Sequence, residues 1–246
     1  MKILVCISKT PDTTSRIAFT DNNSRFDTDK VQFIINPYDE WYALVRAVEL
    51  KEATGAEVTL IHVGPADGDA ILRKALAIGG DRAVRVDADP ADAYFVASQI
   101  AAFVRSDPHD LILTGKETID YNGSQVGGML AGLLDYPFVS LASRLDVAGN
   151  LVTLERDISG GKEILEVPLP VVVSCAKGMA EQRIPNMRGI MAARTKPLTV
   201  MTAHPADPLT RMVAFELPQT KQGVKLISPD QPEELVRLLH VEAKVI

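Results

Sequence analysis

The sequence predicts a three-layer α/β fold, in which a parallel sheet carries helices on both faces and is followed by a small antiparallel β meander and an extended C-terminal arm. Two observations predict the sheet: short, continuously apolar runs alternate with helical stretches through the first half of the chain, and Gly or Pro ends most of these runs. A third observation predicts the additions, because strict alternation replaces this pattern after Pro137 and recurring prolines interrupt it after Met179.

Four strands, each followed by a helix, are predicted in the first half, and this order is typical of a Rossmann-like sheet. The first helix has Trp41, Leu44, Val45 and Val48 at helical spacing and ends at Gly55. The predicted strands cover residues 2–7, 58–63, 83–86 and 111–114, and the predicted helices cover residues 37–54, 71–78, 92–105 and a stretch ending near 134.

The residues before the first helix are typical of a helix start. Asn36 is predicted to cap the helix, Pro37 suits the first helical position, and Asp39 complements the helix dipole. The polar stretch between the first strand and this helix is about 25 residues long, which is too long for an ordinary loop. Residues 16–20 and 31–34 within it are candidates for a small hairpin.

Three short alternating runs predict the antiparallel meander, at about residues 143–168. Gly149–Asn150 and Gly160–Gly161 separate these runs as turns. A buried strand at residues 170–175 then returns to the main sheet.

The last third shows no sustained helical or strand period over residues 179–229. Because it keeps many apolar residues, we expect an arm that lies on a partner, with a floppy tail as the alternative. An amphipathic helix at residues 233–240 is predicted to end the chain.

The carboxyl ends of the predicted strands are expected to form a ligand site, because loops at one edge of a parallel sheet meet there. These loops cover residues 7–16, 36–39, 63–66 and 115–128. The last loop is Gly-rich and leads into an apolar helix, whose free N–H groups and dipole favour an anion. Glycines also let a phosphate or a ribose approach the backbone closely.

The same glycines have a purely structural alternative, since Gly128 and Gly132 lie four residues apart and would let the helix pack closely on the sheet. Neither GxxxxGK[ST] nor a GxGxxG after the first strand is present. The segment therefore predicts a nucleotide that is bound rather than hydrolysed.

Composition and motifs argue against several classes of protein. A net charge of −6, without clustered Lys and Arg, argues against a nucleic-acid surface, and no apolar run is long enough to predict a membrane span. Cys6 and Cys175 are expected to be buried, and the histidines lack metal-ligand spacing. No nucleophile motif is present, so we expect no enzyme. The opening strand lacks the features of a signal or transit peptide, so a cytoplasmic bacterial protein is expected, with a processed organellar protein as the alternative.

Six segments, in the same order and over nearly the whole chain, resemble the β subunit of electron transfer flavoproteins. They are MKILVCISK, INPYDEWYALVRAVELKE, VGPADGDAILRKALAIGGDRAVRV, LTGKETIDYNGSQVGGMLAGLLDYP, LERDISGGKEILEVPLPVVVS and IPNMRGIMAARTKPL. The resemblance implies an electron-carrier subunit that performs no bond chemistry and pairs with an α subunit carrying a redox-active FAD. This heterodimer is expected to accept electrons from acyl-CoA or related dehydrogenases, as in fatty acid oxidation, and to pass them to a quinone oxidoreductase.

The resemblance also implies a structural AMP, held by the loops described above. Ser124 to Gly127 are expected to hold its phosphate, while Asp120 and Asn122 suit the ribose or the adenine. Carried over by position, the implied AMP contacts are Ile7, Asn36, Pro37, Tyr38, Asp39, Val63, Thr118, Ile119, Asp120, Tyr121, Asn122, Gly123, Ser124, Gln125, Val126, Gly127, Gly128 and Met129.

Residues 182–193, the docking segment, resemble the recognition loop with which the family contacts its dehydrogenases. Met187 takes the place of an anchoring Leu and is flanked by Arg183 and Arg188. The alternative is a Met buried under the arm. The expected division is thus a nucleotide-binding domain over residues 1–178, which includes the meander, and a recognition loop, arm and terminal helix over residues 179–246.

Departures from the family pattern bear on the bound nucleotide. Ser159 replaces an acidic residue in the turn at Gly160–Gly161. The DYNGSQVGG run lacks the Thr-Ala pair and the Pro of electron-bifurcating members, in which a second, reactive FAD replaces AMP. LDYP resembles the LDWP of AMP-binding members. The resemblance therefore favours AMP, and a bifurcating β subunit with a second FAD is the alternative. A third possibility is a stand-alone adenine-nucleotide module, against which the arm argues.

Overall fold

The helices and strands follow the alternating pattern of the sequence. The computed structural model describes residues 1–220 and 223–246. The strands are β1 (Lys2–Cys6), β2 (Lys9–Pro11), β3 (Phe19–Thr20), β4 (Arg25–Phe26), β5 (Phe33–Ile35), β6 (Glu57–Val63), β7 (Arg82–Asp87), β8 (Leu111–Gly115), β9 (Phe138–Ala148), β10 (Leu151–Ile158), β11 (Gly161–Pro168), β12 (Val171–Cys175) and β13 (Leu198–Thr202). The helices are α1 (Asp39–Thr54), α2 (Asp69–Ile78), α3 (Ala93–Ser106), α4 (Val126–Leu134), α5 (Met187–Ala193) and α6 (Pro232–Arg237), with a 3₁₀ turn at Ala66–Gly68 and a π-helical turn at Leu238–Ala243.

Nine of the strands form one sheet in the order β11-β10-β9-β12-β8-β1-β6-β7-β13. From β9 to β13 all neighbours in this order are parallel, and β10 is antiparallel to both β9 and β11. The chain builds outward from β1 through β6 to β7 and then crosses back to β8, on the other side of β1. The order therefore reverses between β1 and β8, and ligands of open α/β sheets bind outside the carboxyl ends of the strands at such a reversal.

Two apolar cores lie on opposite faces of the sheet, as expected for parallel strands that are buried on both sides. Along β1, Ile3 and Val5 point into the core formed with α1 and α2, whereas Leu4 and Cys6 point into the core formed with α3 and α4. This arrangement confirms the predicted three-layer, Rossmann-like α/β fold.

The meander is an extension of the main sheet. Strand β9 begins at Phe138, several residues before the predicted start, and pairs with β12 in parallel before it pairs with β10. Two irregularities interrupt the alternation of β9, namely a bulge opposite Glu155 and Arg156 and a positive φ of 61° at Leu141. The first half of β9 therefore lacks the alternating pattern that predicts a strand.

The predicted hairpin between residues 16–20 and 31–34 is wrong. Strand β3 pairs with β4, and β5 pairs with β2. Asp21, Asn22 and Asn23 adopt positive φ angles between β3 and β4, which short polar side chains tolerate, so the turn comes earlier than expected.

The predicted absence of regular structure over residues 179–229 is also wrong, because α5 and β13 lie within it. Strand β13 adds to the edge of the sheet beside β7, in parallel. Both elements are too short, at 7 and 5 residues, to produce a sustained period in the sequence.

The described part of the arm beyond β13 contacts the α/β body at several places. The side-chain amide of Gln99 on α3 accepts from the N–H of His204 at 2.7 Å and donates to its carbonyl oxygen at 2.9 Å. Phe215 stacks on Phe19 with 4.8 Å between ring centroids, and the carboxylate of Asp92 accepts hydrogen bonds from the main-chain N–H groups of Leu209 and Thr210 at 2.7 and 2.8 Å. The terminal helix α6 is shorter than predicted, since the chain continues as the π-helical turn. Within the described residues, no helix combines the length and the apolar character that a membrane span requires.

Candidate functional site

The loops that follow β1, β6 and β8 meet at the carboxyl edge of the sheet, at the reversal of strand order. Asn36 joins two of the segments: its side-chain Nδ2 donates to the carbonyl oxygen of Glu117 at 2.8 Å, and its Oδ1 accepts from the N–H of Ile119 at 3.0 Å. Lys9 pairs with Asp67 at 2.7 Å and so joins the loop after β1 to the turn after β6. The expected convergence of these loops is therefore a feature of the structure.

The helix start predicted at Asn36 is wrong. Helix α1 begins at Asp39, its N-cap residue is Tyr38 with a φ of 65°, and no side chain caps it. Asn36 is fully buried and uses its amide to join the two loops, and Pro37 precedes the helix instead of occupying its first position. Asp39 is half-buried, and this burial raises the pKa of its carboxyl, an effect that the nearby Lys116 opposes.

The peptide unit between Ile7 and Ser8, at the end of β1, is held from both sides. His62 donates its Nδ1–H to the carbonyl oxygen of Ile7 at 2.8 Å, and the N–H of Ser8 donates to Oε2 of Glu40 at 2.6 Å. One further bond, from the N–H of Asn36 to the carbonyl oxygen of Ser8 at 3.0 Å, closes the turn. The backbone at the predicted Ile7 contact is thus fixed by two buried titratable side chains.

Both of these side chains are held neutral at pH 7. Burial raises the pKa of the Glu40 carboxyl to about 8, against the hydrogen bonds from Ser8, and the charges of Asp120 and Asp39 raise it further. Burial lowers the pKa of His62, so its imidazole is neutral with the proton on Nδ1. The floor of the site is therefore polar but carries little charge.

Helix α4 starts beside the same edge, and its first turn is not capped by the side chain of its N-cap residue. Gln125 is its N-cap residue and makes no side-chain capping bond. The Oγ1 of Thr114, at the end of β8, is buried and has no hydrogen-bond partner among the residues that the structure describes. A Cβ at Gly127 would come within 2.9 Å of that oxygen and 3.0 Å of Phe138, so only a glycine can pack this closely against both.

Close packing of α4 on the sheet, the structural alternative for its glycines, does not depend on the two positions expected from the sequence, Gly128 and Gly132. A Cβ at Gly128 would make an ordinary contact at 3.5 Å, and one at Gly132 would meet nothing within 4 Å. Close packing of α4 on the sheet therefore requires Gly127 rather than Gly128 and Gly132.

The loop before α4 is exposed and presents its backbone to solvent. Asn122 and Ser124 adopt positive φ angles of 49° and 52°, and a Cβ at Gly123 would meet nothing within 4 Å. Residues 120–125 are exposed, whereas Ile7, Asn36 and Val63 are buried beneath them. The predicted contacts thus divide into a buried floor at the strand ends and an exposed loop beside it.

Sequence reasoning missed Glu40, His62 and Thr114. The burial of Glu40 could have been predicted, because it lies four residues before Leu44 and so falls on the apolar face of α1. His62 is a titratable residue inside a buried strand, and Thr114 is the last polar residue before Gly115, but neither position by itself indicates a ligand.

The docking segment places its apolar side chains in solvent. Met187 is the first residue of α5 and is 74% exposed, and Ile184 is 79% exposed, which excludes a Met buried under the arm. Asn186 caps α5 by accepting from the N–H of Gly189 at 2.8 Å. Of the flanking cations, Arg188 is exposed, whereas Arg183 pairs with Glu52 of α1.

The described residues offer binding groups without an evident reaction centre. No group of three or more His, Cys, Asp or Glu in this part of the chain is arranged to hold a metal ion. Cys6 and Cys175 are buried, as expected, and burial raises the pKa of both thiols. The arrangement can hold an anionic ligand through backbone N–H groups and hydroxyls.

Comparison with known proteins gives a consistent result. A family model described as "Electron transfer flavoprotein domain" matches residues 24–206. The chain is similar to the electron transfer flavoprotein subunit beta of Bacillus subtilis, with 35% identity over 260 residues and 100% of both chains covered. It is 34% identical to the subunit beta of Syntrophomonas wolfei, covering 95% of this chain and 92% of that one, and 33% identical to that of Homo sapiens, covering 97% and 96%.

Proposed function

The chain belongs to the electron transfer flavoprotein family, among its β subunits, and on that basis we propose that it is the AMP-binding, electron-carrier subunit of a heterodimer. In this proposal its partner is an α subunit that carries a redox-active FAD. The heterodimer takes electrons from an acyl-CoA or related dehydrogenase and passes them to a quinone oxidoreductase. The chain itself supplies binding surfaces and no bond chemistry.

The observation that carries the proposal is the buried Thr114 hydroxyl, which lacks a partner at the reversal of strand order. A buried polar atom without a partner is costly, and a bound group would remove that cost. The oxygen lies against Gly127 in the first turn of α4, where a side chain would crowd it. These features fit a small, anionic nucleotide whose phosphate accepts from backbone N–H groups.

The residues that would hold AMP are those at the strand ends and in the loop before α4. Residues 124–127 would bind the phosphate, Asp120 and Asn122 would bind the ribose or the adenine, and the backbone at Ile7 and Val63 would form the floor. AMP has no redox chemistry at physiological potentials. In this site it would instead join loops whose polar groups are not all hydrogen-bonded within the protein. We propose that this makes it a structural ligand.

The docking segment supports the second half of the proposal. Exposed, flexible methionines adapt to partner surfaces, and apolar anchors surrounded by polar residues are typical of interaction sites. Met187 and Ile184 provide such anchors, with Arg188 beside them. We propose that these side chains contact the dehydrogenase that donates electrons.

The test is to co-express the chain with an α subunit, purify the complex, denature it and quantify the released nucleotides by chromatography against the protein concentration. One AMP and one FAD per heterodimer are expected. A result of two FADs per heterodimer would contradict the proposal and favour a bifurcating subunit. Release of AMP from a chain that binds neither a partner nor a flavin would instead favour a nucleotide-binding module. A complex with neither AMP nor a second FAD would refute the nucleotide site.

A further inference from the structure

We propose that Glu40 and His62 are positioning residues, which together hold the Ile7–Ser8 peptide unit in the orientation that nucleotide binding requires. The inference rests on the proposed function, because it gives a role to side chains beneath the proposed AMP site. Neither side chain is among the contacts expected from the sequence, and each acts through the backbone of the loop after β1.

Both polar groups of this single peptide unit are bonded to side chains. In a trans peptide the carbonyl oxygen and the N–H lie in one rigid plane and point in opposite directions from the C–N bond. The oxygen meets Nδ1 of His62 from β6, and the N–H meets the carboxyl of Glu40 from α1. The two side chains therefore fix the plane from opposite sides, at the residue where the chain leaves the sheet.

Glycines make room for these two side chains. A Cβ at Gly64 or at Gly68 would lie 2.3 or 2.5 Å from Nε2 of His62. A Cβ at Gly115 would lie 2.6 Å from Cγ of Glu40. Three glycines, two in the connection after β6 and one at the end of β8, thus lack side chains where a larger residue would displace the imidazole or the carboxyl, which indicates that both are built into the site.

Around Glu40 the surrounding groups are acidic. The charges of Asp120, in the loop before α4, and Asp39, on α1, raise the pKa of the Glu40 carboxyl. The thiol of Cys6 on β1 is also close, since Glu40 adds to the rise in its pKa. The protonated carboxyl adds no charge to this region. Ionisation above pH 8 adds a negative charge beside two carboxylates, where an anionic phosphate is proposed to bind, and so weakens the binding of AMP.

Around His62 the charges are paired. Lys9 and Asp67 form an ion pair at 2.7 Å, and Arg85 pairs with Asp69 at 2.7 Å. Since burial lowers the pKa of His62, its ring stays neutral from pH 7 upward. The second pKa of a phosphate ester is about 6, so the phosphate of AMP is almost fully ionised from pH 7 upward. Glu40 is therefore the group of this pair that changes charge between pH 7 and 9.

The first experiment measures the affinity of the full-length chain for AMP by calorimetry at pH 7, 8 and 9. The wild-type affinity is expected to fall about tenfold over this range. Glu40→Gln, which keeps an acceptor for Ser8 but cannot ionise, is expected to bind as the wild type does at pH 7 and to change less than about twofold by pH 9. An unchanged pH profile in Glu40→Gln would overturn the role of Glu40.

Matched variants separate positioning from general stability. Glu40→Leu and His62→Leu remove one bond to the peptide unit and are expected to lower AMP affinity at least about tenfold at pH 7. His62→Asn keeps a donor near Nδ1 and is expected to restore much of the loss. The control is His109→Leu, because His109 is equally buried and bonds a carbonyl through Nδ1 at 2.6 Å, but it lies before β8, at the opposite edge of the sheet. Wild-type affinity in Glu40→Leu and His62→Leu would refute the inference.

A second measurement does not depend on AMP. The Ser8 amide is expected to exchange with solvent at least about tenfold faster in Glu40→Leu than in His109→Leu, as read by NMR or by mass spectrometry of the peptide containing it. If the wild type bound no AMP at any pH, the AMP proposal would fail. The role of Glu40 in holding the peptide would then be decided by this exchange rate, and equal rates in the two variants would overturn it.

Discussion

Trp41 donates its indole Nε1–H to the main-chain carbonyl oxygen of Arg183, with 3.2 Å between the two atoms. Trp41 lies in the first turn of α1, two residues after Asp39, and the side chain of Arg183 pairs with Glu52 near the other end of the same helix. The helix that begins at the proposed nucleotide site therefore also holds the start of the docking segment.

Replacing Trp41 with Phe should loosen the start of the docking segment, because the smaller phenyl ring has no N–H to donate to Arg183. We expect faster cleavage by trypsin after Arg183, with a loss of global stability of about 0.5–1.5 kcal/mol. Limited proteolysis followed by mass spectrometry measures this. As a control, Arg237 is exposed in α6, far along the chain, and its cleavage should be unaffected. Equal cleavage after Arg183 in both proteins would show that the indole bond does not restrain the segment.

Met187→Ala should slow reduction of the complex by its dehydrogenase while leaving flavin content intact, since it removes the exposed anchor and touches no buried group. Stopped-flow reduction at increasing dehydrogenase concentration measures the effect, which we expect to be at least about fivefold in apparent affinity. Met187→Leu keeps the apolar volume and should retain most of the rate. A rate in Met187→Ala equal to that of the wild type would remove Met187 from the docking site.

Gly127→Ala should lower both nucleotide content and stability, because the added methyl meets Thr114 and Phe138 at 3.0 Å or less. Overpacking of this kind costs about 1–3 kcal/mol. Gly132→Ala is the matched control on the same helix, where the methyl enters open space and should stabilise by up to about 1 kcal/mol. Urea unfolding and nucleotide analysis of both variants test this, and normal nucleotide content in Gly127→Ala would place Gly127 outside the site.

Asn36→Ala should destabilise the protein by about 2–4 kcal/mol, because it leaves the carbonyl of Glu117 and the N–H of Ile119 without partners. The same change at Asn186, an exposed helix cap, should cost only about 1 kcal/mol. Urea unfolding compares the two variants. Equal losses would mean that the buried amide contributes no more than a surface cap.

The pH dependence of stability should change in Glu40→Gln. Burial raises the pKa of Glu40 to about 8 in the folded protein, so the stability that its neutral form provides is fully present below the ordinary value near 4.5 and is lost as pH rises through 8. The free energy of unfolding of Glu40→Gln should therefore rise relative to that of the wild type between pH 5 and 9, by at most about 4–5 kcal/mol. Denaturant unfolding at several pH values measures the difference, and a constant difference would contradict the raised pKa.

The sequence predicts the central sheet and its ligand edge because those features are local. Short, continuously apolar runs ended by Gly or Pro favour buried strands, and loops at the carboxyl ends of parallel strands lie at one edge of the sheet. The approximate bounds of β1, β6, β7 and β8 and of their helices follow from such runs, and the alternation after Pro137 predicts the meander.

What the sequence does not predict depends on partners far away in the chain. Asn36 resembles a helix cap, yet its amide joins Glu117 and Ile119, more than 80 positions further on. Likewise, β13 is recognisable only through its pairing with β7, and the bonding of the Ile7–Ser8 peptide requires α1 and β6 to be in place. No local pattern encodes these contacts.

Strand β13 has a consequence for the speed and the strength of docking. The docking segment is held at its start by Trp41 and at its end by β13, and Lys196 between α5 and β13 donates to the carbonyl oxygens of Leu76 and Gly80 at 2.9 and 2.6 Å. A segment tied at both ends loses little conformational entropy when a partner binds. Its contact area can therefore stay small enough for rapid release, which the proposed electron carrier needs if it is to exchange partners at every turnover.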